Sequence, residues 1–229
     1  MNKNKYEKTK LMLNGGVKLL CGFLLAAALV FLPAGTLSYT GGWLFIGLLF
    51  TPILIMGIVM YVKSPELLQK RLDSKEKEKT QRGVVALSGL MFIAGFVVAG
   101  LDHRFGWSAV PTWAVATASA ILLVSYGLYA EVMRENAYLS RTVKVEDGQK
   151  TVDSGLYGIV RHPMYAVTIW LFLSIPVILG SWYSLICFAV YPIAIVIRII
   201  DEEKLLTREL EGYVEYKKKV KYRLIPFIW

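Results

Sequence analysis

The chain has 229 residues, of which 55% are hydrophobic and 19% charged, and its mean hydropathy is +0.50. This composition is too apolar for a soluble domain of that length, and it predicts an integral membrane protein. The net charge of +9 is spread over several segments that flank apolar stretches. This distribution argues against nucleic-acid binding and indicates membrane topology together with contact to anionic lipid headgroups.

Four apolar stretches of membrane-spanning length lie at residues 16–38, 42–62, 84–101 and 110–130, since a helix needs roughly 20 residues to cross a hydrocarbon core of about 30 Å. A fifth stretch, residues 164–200, is nearly twice as long. Its middle, from Ile175-Pro176 to Gly180-Ser181, carries helix-breaking residues and predicts a helical hairpin. We therefore expect an all-α fold, a polytopic membrane helix bundle of about five to six transmembrane helices with a C-terminal helical hairpin.

The basic residues predict the orientation of the bundle. Four lysines precede the first apolar stretch, and residues 63–83, 131–164 and 198–229 contain seven, five and eight Lys or Arg residues. The connections on the other face contain only Arg104. Because Lys and Arg are retained on the cytoplasmic side of short loops, we expect both termini and all the charged connections in the cytoplasm. The Lys-Glu alternation of residues 75–79 is typical of a solvated helix face or a flexible connection.

Residues that carry chemistry concentrate in the last part of the chain. The stretches before residue 130 are apolar and contain small residues that suit helix packing, such as Gly89 and Gly95. We therefore expect an N-terminal membrane region of four helices, residues 1–130, and a C-terminal region with the candidate active site, residues 131–229. Cys21 and Cys187 lie in apolar stretches without the spacing of metal ligands, so we expect no metal site and no disulfide.

Five motifs follow one another in this C-terminal region: Gly155-x-Tyr157, Arg161-His-Pro-x-Tyr165, Arg198 with Glu202-Glu203, Gly212-Tyr213-x-x-Tyr216 and Tyr222-Arg-Leu-Ile-Pro226. In this order, around a helical hairpin, they resemble the isoprenylcysteine carboxyl methyltransferase family and, more broadly, the membrane methyltransferases that include the phospholipid methyltransferases. The resemblance covers about the last 95 residues. It implies S-adenosylmethionine as cofactor, bound in a pocket of residues 131–229 at the cytosolic membrane face, and a lipophilic methyl acceptor that enters from the bilayer.

The resemblance also implies which residues form the site. The expected cofactor-binding residues are Gln149, Lys150, Thr151, Val152, Tyr157, His162, Pro163, Met164, Tyr165 and Glu202. Arg198 is expected to bind the acceptor, Arg198 and Glu202 are the expected catalytic residues, and Glu203 is expected to brace the pocket. The residue types fit these roles, because a proline that begins a helix leaves N–H groups free for a carboxylate and a tyrosine ring offers a π face to a sulfonium. The i, i+4 spacing of Arg198 and Glu202 is equally compatible with a salt bridge at a helix end.

The chemistry of the acceptor stays open at this point. An arginine at position 198 favours an anionic acceptor, and a carboxylate is already ionised at pH 7, whereas an amine must first lose a proton. We therefore expect carboxyl O-methylation of an isoprenylcysteine-like or other lipid acid. Headgroup N-methylation and thiol S-methylation remain alternatives. So do an NADPH-dependent oxidoreductase of the sterol-reductase type, which needs more phosphate contacts than this region offers, and a non-catalytic scaffold or transporter.

Overall fold

The computed structural model describes residues 2–72, 79–136, 138–139, 145 and 148–229, with the backbone alone for residues 2–7 and 79–81. Within these residues the regular structure is helical throughout, which confirms the predicted all-α class. The helices are α1 (Asn2–Ala34), α2 (Thr40–Lys63), α3 (Pro65–Leu72), α4 (Lys79–Phe105), α5 (Thr112–Glu135), α6 (Pro163–Ile178), α7 (Trp182–Phe188), α8 (Val190–Glu209) and α9 (Tyr213–Lys219). A 3₁₀ turn, Gly155–Gly158, precedes α6. Residues 75–78 of the Lys-Glu alternation lie outside the described residues.

Most of the helices have the length and composition of membrane spans. Five segments of the described chain are long and apolar enough to cross a membrane: Lys8–Ala34, Thr40–Lys63, Arg82–Phe105, Thr112–Glu135 and Trp182–Glu209. Helix α6 is equally apolar, but its 16 residues are fewer than the roughly 20 needed for a full span. Large apolar side chains such as Leu32, Val62 and Ile186 are exposed, as expected where lipid is the solvent. The chain is therefore an integral membrane protein.

The predicted C-terminal hairpin is present. Helix α6 ends at Ile178 and α7 begins at Trp182, where the Ser181 hydroxyl caps α7 by accepting a hydrogen bond from a backbone N–H. Pro176, which we expected in the connection, lies instead in the last turn of α6. The second arm is broken between α7 and α8, because Pro192 has no N–H to donate to the carbonyl one turn earlier.

Close packing joins the hairpin to the first helices. Helix α5 packs along α6, α1 packs along α4, and α4 also contacts α7 and α8. Gly95 allows this contact, since a Cβ atom there would lie 2.4 Å from the ring of the buried Phe188, and its expected packing role is confirmed. The same expectation for Gly89 is wrong, because a Cβ atom at that position would meet no atom within 4 Å.

A buried polar cluster closes the end of the bundle that lies away from the motifs. Asp102 is 1% exposed, and its carboxylate accepts hydrogen bonds from the Ser108 backbone N–H at 2.7 Å, the Ser108 hydroxyl at 2.6 Å and the Ser181 hydroxyl. Tyr39 donates its hydroxyl hydrogen to the Leu179 carbonyl oxygen nearby. These bonds tie the α1–α2 and α4–α5 connections to the hairpin turn, and the motifs gather at the opposite end.

Candidate active site

The 3₁₀ turn before α6 is held by the end of α5. Gly155 has a φ of +54°, a left-handed conformation that favours glycine. The following N–H, that of Leu156, donates to the two carboxylate oxygens of Glu135 at 2.9 and 3.2 Å. A Cβ atom at position 155 would lie 1.5 Å from a Glu135 oxygen. The glycine of the Gly-x-Tyr motif is therefore required both by its backbone conformation and by this close carboxylate.

Glu203 ties three segments together behind the site. Its Oε1 accepts a hydrogen bond from Arg161 Nε at 2.7 Å and lies 3.3 Å from His162 Nε2, and its Oε2 accepts from Arg223 Nε at 3.0 Å. Arg161 also donates to the carbonyl oxygens of residues 220 and 221. Arg161 is therefore a structural ion-pair partner, and Glu203 braces the site as predicted.

The hydroxyl of Tyr165 connects the two residues that the i, i+4 spacing placed on one face of α8. Tyr165 donates a hydrogen bond to a carboxylate oxygen of Glu202 and accepts one from Arg198 Nε at 2.9 Å. The Arg198 guanidinium carbon also lies 5.8 Å from the centroid of the Tyr165 ring. Because Arg198 is 9% exposed, this pairing holds a cation, a phenol and a carboxylate together in a region from which water is largely excluded.

These groups face a cavity of about 480 Å³ at the motif-bearing end of the bundle. Every residue predicted for the site except Pro163 lines it: Gln149, Lys150, Thr151, Val152, Tyr157, His162, Met164, Tyr165, Arg198 and Glu202. Pro163 begins α6 and is buried between two lining residues. His162 and Glu202 therefore border one common cavity. The roles assigned to these residues remain predictions.

Residues of the N-terminal helices also line the cavity, which is therefore not built from residues 131–229 alone. Helix α4 contributes an apolar wall that includes Val85, Gly89 and Phe92. Helix α3 contributes Arg71, whose guanidinium carbon lies 5.3 Å from the centroid of the Tyr129 ring and whose terminal nitrogens lie 3.9 and 4.0 Å from the Met164 sulfur. Sequence reasoning missed these residues, since only the i, i+4, i+7 spacing on α4 hinted at a shared face.

Helix α9 covers the segment that leads into the 3₁₀ turn. The Tyr216 hydroxyl donates to the Tyr157 carbonyl oxygen at 2.7 Å, and the Thr151 hydroxyl donates to the carbonyl oxygen of residue 211 at 2.7 Å. Burial raises the pKa of both Tyr157 and Tyr216 above the ordinary tyrosine value, so both phenols stay neutral at physiological pH. These two hydrogen bonds hold α9 and the residue before Gly212 against the segment that leads into the 3₁₀ turn.

Cationic side chains outnumber carboxylates among the described residues that line the cavity. Among the described residues that line it, the only carboxylate is Glu202, whereas the cationic side chains are Arg71, Lys150, Arg161 and Arg198. The described part of the chain contains no group of three His, Cys, Asp or Glu side chains placed to hold a metal ion. Because Arg161 is paired with Glu203, an anionic group that enters this cavity meets chiefly Arg71, Lys150 and Arg198, in a partly desolvated site where electrostatic interactions are strong.

Comparison with known proteins identifies the segment that carries these features. The model of the isoprenylcysteine carboxyl methyltransferase (ICMT) family matches residues 114–208, from near the start of α5 to near the end of α8. The matched segment contains every residue predicted for the site, whereas the motifs that begin at Gly212 and Tyr222 lie beyond it. A search of curated proteins finds no significant match. Residues 114–208 of this integral membrane protein are therefore similar to the isoprenylcysteine carboxyl methyltransferase family, a similarity that suggests a membrane methyltransferase.

Proposed function

We propose that this protein uses S-adenosylmethionine to methylate the carboxylate of a lipophilic acid of the isoprenylcysteine type at the cytosolic membrane face. The observation that carries the proposal is the meeting of Arg198 and Glu202 at the Tyr165 hydroxyl, in a cavity that joins polar and apolar walls. Arg198 supplies a cation for the acceptor, and Glu202 supplies a carboxylate for the cofactor. The hydrogen bonds of Tyr165 fix the positions of these two side chains relative to each other.

The cavity fits the proposed cofactor in size and chemistry. Its volume of about 480 Å³ lies within the range of about 300–1,000 Å³ that is usual for small-molecule sites. Glu202 accepts hydrogen bonds from an ammonium group or ribose hydroxyls, and the ring of Tyr157 offers a π face. When bound, S-adenosylmethionine supplies a methyl group on a sulfonium, and its transfer to a carboxylate leaves a neutral thioether and a neutral ester without loss of a proton.

Arg198 matches an anionic acceptor. Its planar guanidinium binds a carboxylate through two parallel hydrogen bonds, and its Nε is already oriented by Tyr165. A carboxylate acceptor is ionised at neutral pH, so the site needs no general base. Its rate gain then comes from the alignment of the acceptor oxygen with the methyl carbon, which is the kind of gain that rigid positioning supplies.

The apolar wall suits the hydrocarbon part of the acceptor. Val85 and Phe92 of α4, Phe172 of α6 and Ile195 of α8 line the cavity, and α4 and α8 belong to segments long and apolar enough to span the membrane. A lipid-borne acceptor placed along this wall buries its chain while its acid group reaches Arg198. Because the acceptor enters from the membrane, where its chain is already out of water, the wall lets the acid group reach Arg198 without exposing the chain to water.

The orientation follows from the basic residues. The cavity lies at the end of the bundle where α2, α5 and α8 end and α4 begins. In the sequence, residues 63–83, 131–164 and 198–229 hold most of the Lys and Arg residues. Basic segments are retained in the cytoplasm, so this end is proposed to face the cytosol. There the water-soluble cofactor reaches the polar side chains of the cavity from the cytosol, while the acceptor enters from the membrane.

Two measurements test the proposed function. Thermal unfolding of the purified full chain is followed with S-adenosylmethionine, S-adenosylhomocysteine and NADPH. We expect stabilisation by the first two, about 2.7 kcal/mol at 100 times the dissociation constant, and no effect of NADPH. Stabilisation by NADPH alone would support the reductase alternative.

The second measurement is methyl transfer from a labelled donor to N-acetyl-S-farnesylcysteine, with product detection by mass spectrometry. A carboxyl methyl ester releases methanol in mild base, whereas N-methyl and S-methyl products do not. We expect base-labile label. The same labelled donor is also incubated with lipid extracts. Label that is stable to base in those extracts would contradict O-methylation and support N- or S-methylation.

A further inference from the structure

One hydroxyl in the cavity wall lacks a hydrogen-bond partner. Tyr213, the first residue of α9, is 3% exposed and lines the cavity. Its Oη is the one buried side-chain nitrogen or oxygen without a hydrogen-bond partner among the described residues. Buried polar groups are nearly always bonded in folded proteins, so each exception calls for an explanation.

Neighbouring tyrosines of the same cavity show that the exception is local. Tyr157 accepts a hydrogen bond from an asparagine amide, Tyr191 donates to a threonine hydroxyl, and Tyr216 donates to a backbone carbonyl. Tyr165 has two partners. A buried phenol without a partner costs free energy in the folded state, and that cost is removed when a ligand brings an acceptor atom to it.

The surroundings of Tyr213 suit a hydrogen-bond donor. Burial, followed by the charges of Glu203 and Glu202, raises the pKa of its hydroxyl well above the ordinary value. The phenol is therefore neutral and keeps its proton over the physiological pH range. Its backbone is fixed as well, because Tyr213 packs in a buried cluster with Leu210, Tyr216 and Val220.

The position of α9 indicates which ligand this hydroxyl reaches. Helix α9 is bonded to Tyr157, and the residue before Gly212 is bonded to Thr151, so α9 lies over the segment proposed to bind the cofactor. The apolar wall proposed for the acceptor comes from α4, α6 and α8 instead. The cofactor is therefore the ligand closest to Tyr213.

We propose that Tyr213 is a further cofactor-binding residue, which donates a hydrogen bond to an oxygen or nitrogen acceptor of bound S-adenosylmethionine. This inference rests on the proposed function. It extends the cofactor site beyond the family segment, residues 114–208, to a helix that follows it. The hydrogen bond to the cofactor then also stabilises the position of α9 over the cavity.

The test compares two substitutions that each remove one hydroxyl from α9. Tyr213→Phe removes the hydroxyl without a partner, and Tyr216→Phe removes one that bonds the Tyr157 carbonyl. Dissociation constants for S-adenosylhomocysteine are measured by calorimetry with the full chain in detergent, together with the melting temperature of the ligand-free protein. We expect Tyr213→Phe to raise the dissociation constant roughly 3- to 10-fold while the ligand-free melting temperature stays equal or rises.

Tyr216→Phe should instead affect the stability of the ligand-free protein. It leaves the Tyr157 carbonyl oxygen without its partner and should lower the ligand-free melting temperature. Tyr213→Phe with wild-type affinity overturns the inference, and so does a lower ligand-free melting temperature in that variant, which would mark the hydroxyl as a structural group. Wild-type protein that fails to bind S-adenosylhomocysteine instead removes the proposed function itself, so the two failures are distinguishable.

Discussion

Arg161 and Glu203 form a buried ion pair, with 2.7 Å between Nε and Oε1 and side chains that are 7% and 5% exposed. Glu203→Ala would leave the Arg161 guanidinium buried without its carboxylate. Loss of one partner of a buried pair costs about 3–5 kcal/mol, so we expect this variant to unfold at a clearly lower denaturant concentration than the wild type.

Asp153→Asn is the matched control for this prediction. Asp153 pairs with Lys219 at 2.6 Å, but both side chains are about half exposed or more. Exposed pairs are screened by water and contribute little, so this variant should unfold close to the wild type. Equal destabilisation of the two variants would mean that the ion pair of Glu203 contributes no more to the free energy of unfolding than an exposed pair does.

Glu202 and Arg198 share the Tyr165 hydroxyl, yet they should affect different ligands. Glu202→Gln should raise the dissociation constant for S-adenosylmethionine about 10-fold or more, since hydrogen bonds to charged groups contribute about 1.5–3 kcal/mol. Arg198→Ala should lower kcat/KM for an acid acceptor at least about 30-fold, from a loss of 2 kcal/mol or more, with the cofactor affinity nearly unchanged. Calorimetry and initial rates measure both. The reverse pattern would mean that the two roles are exchanged.

Gly155 should not tolerate a side chain, whereas Gly158 in the same turn should tolerate one much better. An L-residue in the left-handed region costs about 1–2 kcal/mol, and the added Cβ would collide with Glu135 at 1.5 Å. We expect Gly155→Ala to lower both the melting temperature and the affinity for S-adenosylmethionine. Gly158→Ala is the control: its Cβ would lie 3.3 Å from the backbone oxygen of Asp153, which requires only a small shift, so it should lose much less than Gly155→Ala in both measurements.

Labelling of introduced cysteines tests the proposed orientation. In a background without Cys21 and Cys187, Lys218→Cys lies at the cavity end and Leu37→Cys lies in the turn after α1 at the other end, both exposed. A membrane-impermeant maleimide should label position 218 in inside-out vesicles and position 37 in right-side-out vesicles, because basic segments are retained in the cytoplasm. The opposite labelling would place the cavity outside the cytosol.

Residues of the site that belong to motifs were predicted from the sequence, whereas residues that reach the site only by packing were not. His162, Tyr165, Arg198 and Glu202 were predicted because their motifs resemble those of the isoprenylcysteine carboxyl methyltransferase family, and they line one cavity. Arg71 lies on a short helix with no motif, so its approach to Met164 depends on how α3 packs against α6, which composition and periodicity do not encode.

The helix boundaries show the same division. The hairpin was predicted from Pro and Gly residues, but Pro176 is accommodated inside the last turn of α6, since a proline near a helix end disturbs few backbone bonds. The break between α7 and α8 was not predicted, although Pro192 carries the signal for it. Gly89 was misassigned to helix packing, because a small residue on an apolar helix fits a tight contact and a cavity wall equally well.

Gly89 provides the sharpest test of the apolar wall. A Cβ atom at this position meets no atom within 4 Å, and the residue lines the cavity. Gly89→Leu should place its side chain where the acceptor chain is proposed to lie. We expect kcat/KM for N-acetyl-S-farnesylcysteine to fall at least about 10-fold, which corresponds to about 1.4 kcal/mol, while the affinity for S-adenosylmethionine stays at the wild-type value.

Gly57→Leu is the matched control for the same change in size and helix propensity. Gly57 lies on α2, where a Cβ atom also meets nothing within 4 Å, but it does not line the cavity. Both variants replace a mid-helix glycine by a good helix former, so both should gain somewhat in helix stability. Wild-type activity in Gly57→Leu together with the loss in Gly89→Leu assigns the effect to the occupied cavity. Equal activities of the two variants would mean that the acceptor chain lies elsewhere, and the wall of α4 would then need another explanation.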